Sequence, residues 1–308
     1  MHEFFAPIRH ALYRKNDLYG HINFLSLPKV CVCVPAGAQR SCSRRVAIML
    51  IDTHTHIAGA EFDDDRDAVI ARARDAGVGK MILVGVDLPS SERCVALAER
   101  HPFLWATVGL HPHESHLLDD AMLQALERLA AHPKVVGIGE TGLDYYYNHS
   151  PPEDQRRAFI AQIDLARRVR RPLVIHSRQA WAEMFEVIQQ ENVPEHAREV
   201  GAVFHCFTGD AATAERAVAL GFFISFSGII TFPKSAEVCQ AAAQIASERL
   251  LIETDSPYLA PQGYRGKRNE PAYVLAVAEK LAALRSCSLD DLAQHATRNA
   301  ERLFRIGD

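Results

Sequence analysis

From Met49 to the C-terminus, short apolar runs ending in polar or glycine residues alternate with longer amphipathic stretches, and this limits the fold to strands and helices taken in turn. The apolar runs at 49–53, 80–86, 103–108, 134–139, 172–175, 201–205, 222–226 and 249–253 read as buried strands. Periodicity predicts helices over 64–76, 90–100, 118–131, 153–170, 179–190, 210–220, 235–246 and 271–285, with one more over 289–304. Eight strands, each followed by a helix, are the count of an α/β fold of the (β/α)8 TIM barrel type. The 260 residues from 49 to 308 suit its usual length of about 250. A doubly wound open sheet is the alternative. It would carry a glycine-rich phosphate loop after the first strand, where this chain has Asp52-Thr53-His54-Thr55-His56.

Residues 1–48 stand apart from this pattern. They lack sustained periodicity, hold three of the seven cysteines, and carry seven Lys/Arg against Glu3 and Asp17. That net of +5 leaves −9 for the remainder of a chain whose formal charge is −4. The segment reads as an N-terminal extension outside the barrel, with Met49 as a candidate start. A secretory leader fits poorly, because the basic region is long and Lys29 interrupts the apolar part. Hydrophobic residues make up 48% of the chain, which supplies a large core and excludes a disordered polymer. No apolar run nears the roughly 18 to 20 residues of a membrane span, so no membrane partner is expected. Seven cysteines without paired spacing fit a reducing cytoplasm, and nothing calls for an obligate protein partner.

A parallel barrel collects its chemistry at the C-terminal ends of its strands. Here the first strand ends in Asp52-Thr53-His54-Thr55-His56, the fourth in Gly139-Glu140-Thr141-Gly142, the fifth in His176, the sixth in His205 and the eighth in Glu253-Thr254-Asp255. A lone strand-end histidine is more often a hydrogen-bonded structural residue than a ligand. Four imidazoles and two carboxylates on one rim change that balance, and His54 and His56, two apart along a strand, share a face. His101, His132 and His196 fall before strands or within helical stretches and keep the structural reading. So does Arg167-Arg168-Val169-Arg170-Arg171, which precedes the fifth strand at the far end of the barrel, where cations suit a helix C-terminus.

Six ligands exceed one tetrahedral site and fit two divalent metal ions that share a bridge. His54, His56 and Asp255 are assigned to the first ion, His176 and His205 to the second, and Glu140 to the bridge. Such a pair supports metal-assisted hydrolysis, whereas the ligand set does not favour redox chemistry. Imidazoles favour Zn, Mn, Fe or Ni over Mg by softness.

The segments M-L-I-D-T-H-T-H, G-L-H-P-H (109–113), G-E-T-G-L-D-Y-Y (139–146), V-I-H-S-R (174–178), F-H-C-F-T-G (204–209), E-T-D-S-P-Y-L (253–259) and R-G-K-R-N-E-P (265–271) together resemble the TatD-type metal-dependent deoxyribonucleases, a branch of the amidohydrolase-like barrels. The resemblance covers essentially all of 49–308 and none of 1–48. It implies a binuclear (β/α)8 hydrolase acting on DNA as a 3′-to-5′ exonuclease at single-stranded 3′ ends, often with Mg. It also implies His54, His56, Glu140, His176, His205 and Asp255 as metal ligands and His111 and Glu253 as active-site residues.

Those two roles have physical counterparts. His111 follows the third strand on the same rim, where a protonated imidazole would hold a phosphate oxygen or protonate the departing alkoxide. Glu253 faces the same way as Asp255 and would orient a ligand imidazole, while Asp255 would accept a proton from the attacking water. Arg178, Lys267 and Arg268 are candidate phosphate contacts, and Tyr145 and Tyr146 candidates for stacking a terminal base. A barrel of net −9 is a poor binder of duplex, so few phosphate contacts and a shallow salt dependence are expected. Two other functions stay open. One is a hydrolase of an amide, a lactone or the aminoacyl ester of a mischarged tRNA on the same metal pair; the other is a non-catalytic binding role, which the complete ligand set disfavours.

Overall fold

The computed structural model describes residues 49–307, so the reading of 1–48 as an extension lies outside the described residues. Eight strands follow one another in sequence order around a single sheet: β1 (Leu50–Thr55), β2 (Val78–Val84), β3 (Leu104–Val108), β4 (Val135–Asp144), β5 (Leu173–Arg178), β6 (Ala202–Phe204), β7 (Phe223–Phe226) and β8 (Leu250–Ile252). Every pair from β1/β2 to β7/β8 is parallel. The intervening helices are α1 (Arg66–Asp75), α2 (Leu88–Arg100), α3 (Asp120–Ala130), α4 (Pro152–Val169), α5 (Trp181–Gln190), α6 (Val193–Glu199), α7 (Ala211–Ala219), α8 (Ala236–Gln244), α9 (Val274–Leu284) and α10 (Leu289–Phe304). This is the expected (β/α)8 barrel, with α6 as an unforeseen extra turn before β6.

The strands alternate between two separate cores. Leu50, Met81, Leu104, Val135, Leu173, Ala202, Ile224 and Leu250 join the apolar faces of the surrounding helices. Their neighbours Ile51, Ile82, Val136, Val174, Val203, Phe223 and Leu251 form an inner layer with Leu303, Phe304 and Ile306, while Trp105 packs against it from β3. Period-2 alternation of uniformly apolar strands therefore fills the inside and the outside at once, as a parallel barrel requires. The C-terminal end of α10 plugs the floor, which leaves the opposite rim free for chemistry.

Closure between β8 and β1 is made differently. Among the described residues these two strands share one parallel bridge, Thr55 with Ser256. The seam is held beyond the ends of β8 by Asp255 N–H donating to His54 O (2.9 Å) and His56 N–H donating to Ser256 O (2.8 Å). Below it, the buried carboxyl of Asp52 accepts the Thr254 backbone N–H (2.9 Å) and hydroxyl (2.6 Å). Burial pushes the Asp52 carboxyl up to about 8, against the pull of those bonds.

Phe304 is 2% exposed against the inner layer, and truncating it opens the floor of the barrel. Phe304→Ala is expected to cost about 3 to 5 kcal/mol of unfolding free energy, read from the denaturant midpoint. A cost within about 0.5 kcal/mol, the range of a neutral surface change, would show that the plug is dispensable.

Candidate metal centre

β4 is the organising strand. It runs five residues past the apolar stretch that marks it in the sequence, and its pairing with β5 shifts register between Ile138 and Thr141. Gly142 makes the close approach possible: its φ is +136°, and a Cβ there would run into the backbone of His176. Glu140 thereby points a carboxylate that is 3% exposed into the mouth of the barrel.

The two oxygens of Glu140 divide the surrounding ligands. Oε2 faces His54 Nε2 at 3.3 Å and His56 Nε2 at 3.8 Å, and Asp255 Oδ1 lies 3.7 and 3.4 Å from the same two nitrogens. Oε1 faces His205 Nε2 at 2.7 Å, His176 Nδ1 at 2.9 Å and His111 Nε2 at 3.3 Å. Three overlapping groups result, each able to hold a metal ion: His54, His56 and Asp255; His54, Glu140 and His205; His111, Glu140 and His176. The donor chemistry fits cations. His54 and His56 bring their Nε2 atoms within 3.2 Å, and His176 Nδ1 and His205 Nε2 within 3.3 Å, contacts that two N–H donors could not share. Nitrogen lone pairs converging beside carboxylate oxygens suit a metal ion.

The protein's own charges prepare the site. Burial works against ionisation of Glu140, yet the imidazoles of His205, His111 and His176 outweigh it and hold the carboxyl well below its usual range. Burial likewise opposes the charged form of His205, but Glu140 and Glu253 raise that imidazole well above its ordinary value. Asp255 is held low in spite of burial by His56, His54 and His205. His111 goes the other way. Burial pushes it down to about 4 against the pull of Glu140, and its Nδ1 accepts the His113 N–H at 3.1 Å. His111 Nε2 faces Glu140 Oε1.

Outer contacts fix the rings. Glu253 Oε1 accepts the Cys206 backbone N–H at 2.6 Å and lies 3.4 Å from His205 Nδ1. His56 Nδ1 is 3.1 Å from Val84 O, which leaves Nε2 as the lone-pair nitrogen. One residue escaped sequence reasoning: Asp144, whose Oδ2 lies 3.1 Å from both His176 Nε2 and His113 Nε2. Its signal was available, since Asp144 follows Glu140 by four on an extended strand and so shares its side of the sheet.

The expected substrate contacts fare unevenly. Arg178 lies at the end of β5 over the rings of Tyr146 (4.1 Å) and Tyr147 (4.7 Å). Lys267 is exposed, with no side-chain hydrogen bond or ion pair among the described residues. Arg268 is already engaged: it pairs with Asp65 at 2.7 Å, donates to Glu61 O and lies over Phe62. Tyr145 turns its ring against the helix layer and is partly buried, so Tyr146 and Tyr147 are the tyrosines presented to solvent. The basic run at 167–171 closes α4 as expected, with Arg168 paired to Glu127 at 2.9 Å.

A buried cluster of imidazoles and carboxylates on the C-terminal rim of a (β/α)8 barrel is the arrangement of a metal-dependent hydrolase. A family model described as TatD related DNase matches residues 51–305. The chain is 40% identical to the uncharacterized metal-dependent hydrolase YabD of Bacillus subtilis, covering 84% of this chain and 100% of that protein. It is 37% identical to the 3′-5′ ssDNA/RNA exonuclease TatD of Edwardsiella piscicida, over 83% and 100% of the two chains. The crystal structure of YJJV, a TatD homolog from Escherichia coli K12, superposes with a TM-score of 0.79 at 32% identity, covering 85% of this chain and 100% of that one. The chain therefore belongs to the TatD-related DNase family, and it is a metal-dependent hydrolase. No helix among the described residues is long and apolar enough to cross a membrane.

Asp144→Asn puts an amide nitrogen in place of Oδ2, the oxygen that contacts both His176 and His113. It is expected to weaken metal retention roughly 10- to 100-fold, measured by metal content after dialysis against graded chelator, without lowering the thermal midpoint of the apoprotein. Full retention would show that His176 needs no such anchor.

Proposed function

We propose that the protein is a binuclear nuclease that removes nucleotides from the 3′ end of single-stranded nucleic acid, DNA foremost, in the cytoplasm. The observation that carries the binuclear reading is the division of Glu140, one oxygen toward His54, His56 and Asp255 and the other toward His176, His205 and His111. A single ion would need only one of those sets. The family description and the printed activity of the Edwardsiella relative support a nucleic-acid substrate.

Two divalent cations bound there would supply the positive charge that phosphodiester hydrolysis draws on. The chain's own contributions follow from its geometry. Glu140 ties both halves of the site together, and Glu253 and Asp144 keep His205 and His176 in their orientations. Asp255, with a side chain 13% exposed, is the carboxylate of its group open to the mouth and so the one placed to take a proton from an attacking water. Lys267 and Arg178, unlike Arg268, have donors to spare for a phosphate.

On 5′-labelled single-stranded DNA supplied with each ion in turn, a ladder shortening from the 3′ end is expected, while circles and 3′-phosphorylated strands resist. Rapid cutting of circles would make the enzyme an endonuclease, and release of amino acid from aminoacyl-tRNA without loss of nucleotides would favour ester hydrolysis. Glu140→Gln is expected to lower metal content and turnover together by orders of magnitude; an unchanged rate would sink the binuclear assignment. Asp255→Asn is expected to lose rate by a larger factor than it loses metal, and parallel losses would make Asp255 a ligand only.

A further inference from the structure

The exposed apolar surface of the barrel is concentrated beside the metal centre. Among the described residues the exposed large hydrophobic side chains are Met49, Leu117, Tyr146, Tyr147, Tyr258 and Tyr264, and all but Met49 lie in loops that follow strands β3, β4 and β8. Surface tyrosines gathered on one rim mark a ligand-binding face.

The group after β4 is the most completely built. Tyr146 and Tyr147 are 48% and 47% exposed, and their rings meet edge to face at 4.8 Å. Tyr147 is met by Arg178 and by His149, which lies parallel to it at 5.6 Å. Tyr146 carries Arg178 over its ring at 4.1 Å and has no such parallel partner. The guanidinium of Arg178 makes no hydrogen bond or ion pair among the described residues and lies over both rings. A guanidinium with unused N–H donors, backing an exposed aromatic ring, is a pairing that suits a phosphate and the base attached to it.

This group is also anchored to the metal ligands. The backbone N–H groups of Tyr146 and Tyr147 each donate to Asp144 Oδ1 at 3.0 Å. The other oxygen of the same carboxylate contacts His176 and His113. One side chain thus sets the tyrosine turn and a ring of the metal cluster together.

We infer that Tyr146 and Arg178 form a nucleotide subsite, in which Tyr146 stacks one unpaired base near the 3′ end and Arg178 holds an adjoining phosphate. The inference rests on the nuclease reading and sharpens it, because a base can lie on Tyr146 only where the strand is unpaired. Stacking is sequence-tolerant, so the subsite selects single strands without selecting a base.

The test is a binding cycle in chelator, where no turnover occurs. Anisotropy of a 5′-labelled oligonucleotide is measured for wild type, Tyr146→Ala and Tyr146→Phe, each against an intact strand and strands with a single abasic residue at the first, second or third position from the 3′ end. At one position, base removal is expected to weaken binding to wild type roughly tenfold and to cost Tyr146→Ala nothing further. Tyr146→Phe should behave as wild type. Arg178→Gln should flatten the dependence of log Kd on log salt by about 0.7. Losses that multiply at all three positions would overturn the stacking role, even with nuclease activity intact. A wild-type protein that degrades no nucleic acid and binds no strand would sink both this subsite and the nuclease reading.

Discussion

Closing a barrel brings its first and last strands together, and in this protein the closing seam and half of the metal site are one structure. β1 and β8 lack a regular ladder, and the chain joins them through the backbones of His54, His56, Asp255 and Ser256. Three of those four residues form one ligand group. Asp52 and Thr254 lock the register just beneath. A slip of one residue at the seam would both open the barrel and rotate the ligands away from Glu140, so folding and site assembly are constrained by the same bonds.

The second constraint is charge. A buried carboxylate is costly unless it is paired and hydrogen-bonded. Glu140 is surrounded by five imidazoles from four other strands or strand ends, at 2.7 to 3.8 Å. Imidazoles at these distances can share protons with the carboxylate and surrender them to a metal. The same ring atoms cannot all be N–H donors at their observed separations, which makes the cluster a poor permanent hydrogen-bond network and a good ligand set.

The barrel was legible from its alternation because each strand is apolar on both faces and each helix on one. Topology forces strand ends to one rim, so residue type and position sufficed to bring His54, His56, Glu140, His176, His205 and Asp255 together as candidates. What escaped depended on distant or local chemistry without a period. β4 continues to Asp144 through Glu140, Thr141 and Gly142, residues that break an apolar run without breaking a strand. Helix α6 begins at Asn192-Val193-Pro194, which reads as a breaker although proline is well placed in a first turn. The pairing of Arg268 with Asp65 could not be seen in the sequence, because the two lie 203 residues apart. Tyr145 and Tyr146 were indistinguishable until the direction of the chain after β4 was known.

β4 links the ligand cluster to the tyrosine turn. It supplies Glu140 to the metal ligands and, four residues on, Asp144 to both His176 and the tyrosine turn. The spacing between the two is set by a hydrogen-bonded strand, paired with β5 from Thr141 to Asp144, and not by a loop. Sites built on strands keep their geometry better than sites built on loops. A base held on Tyr146 would therefore be kept in register with the metal centre by the backbone itself, and successive nucleotides would present their phosphodiesters at the same place as the strand shortens.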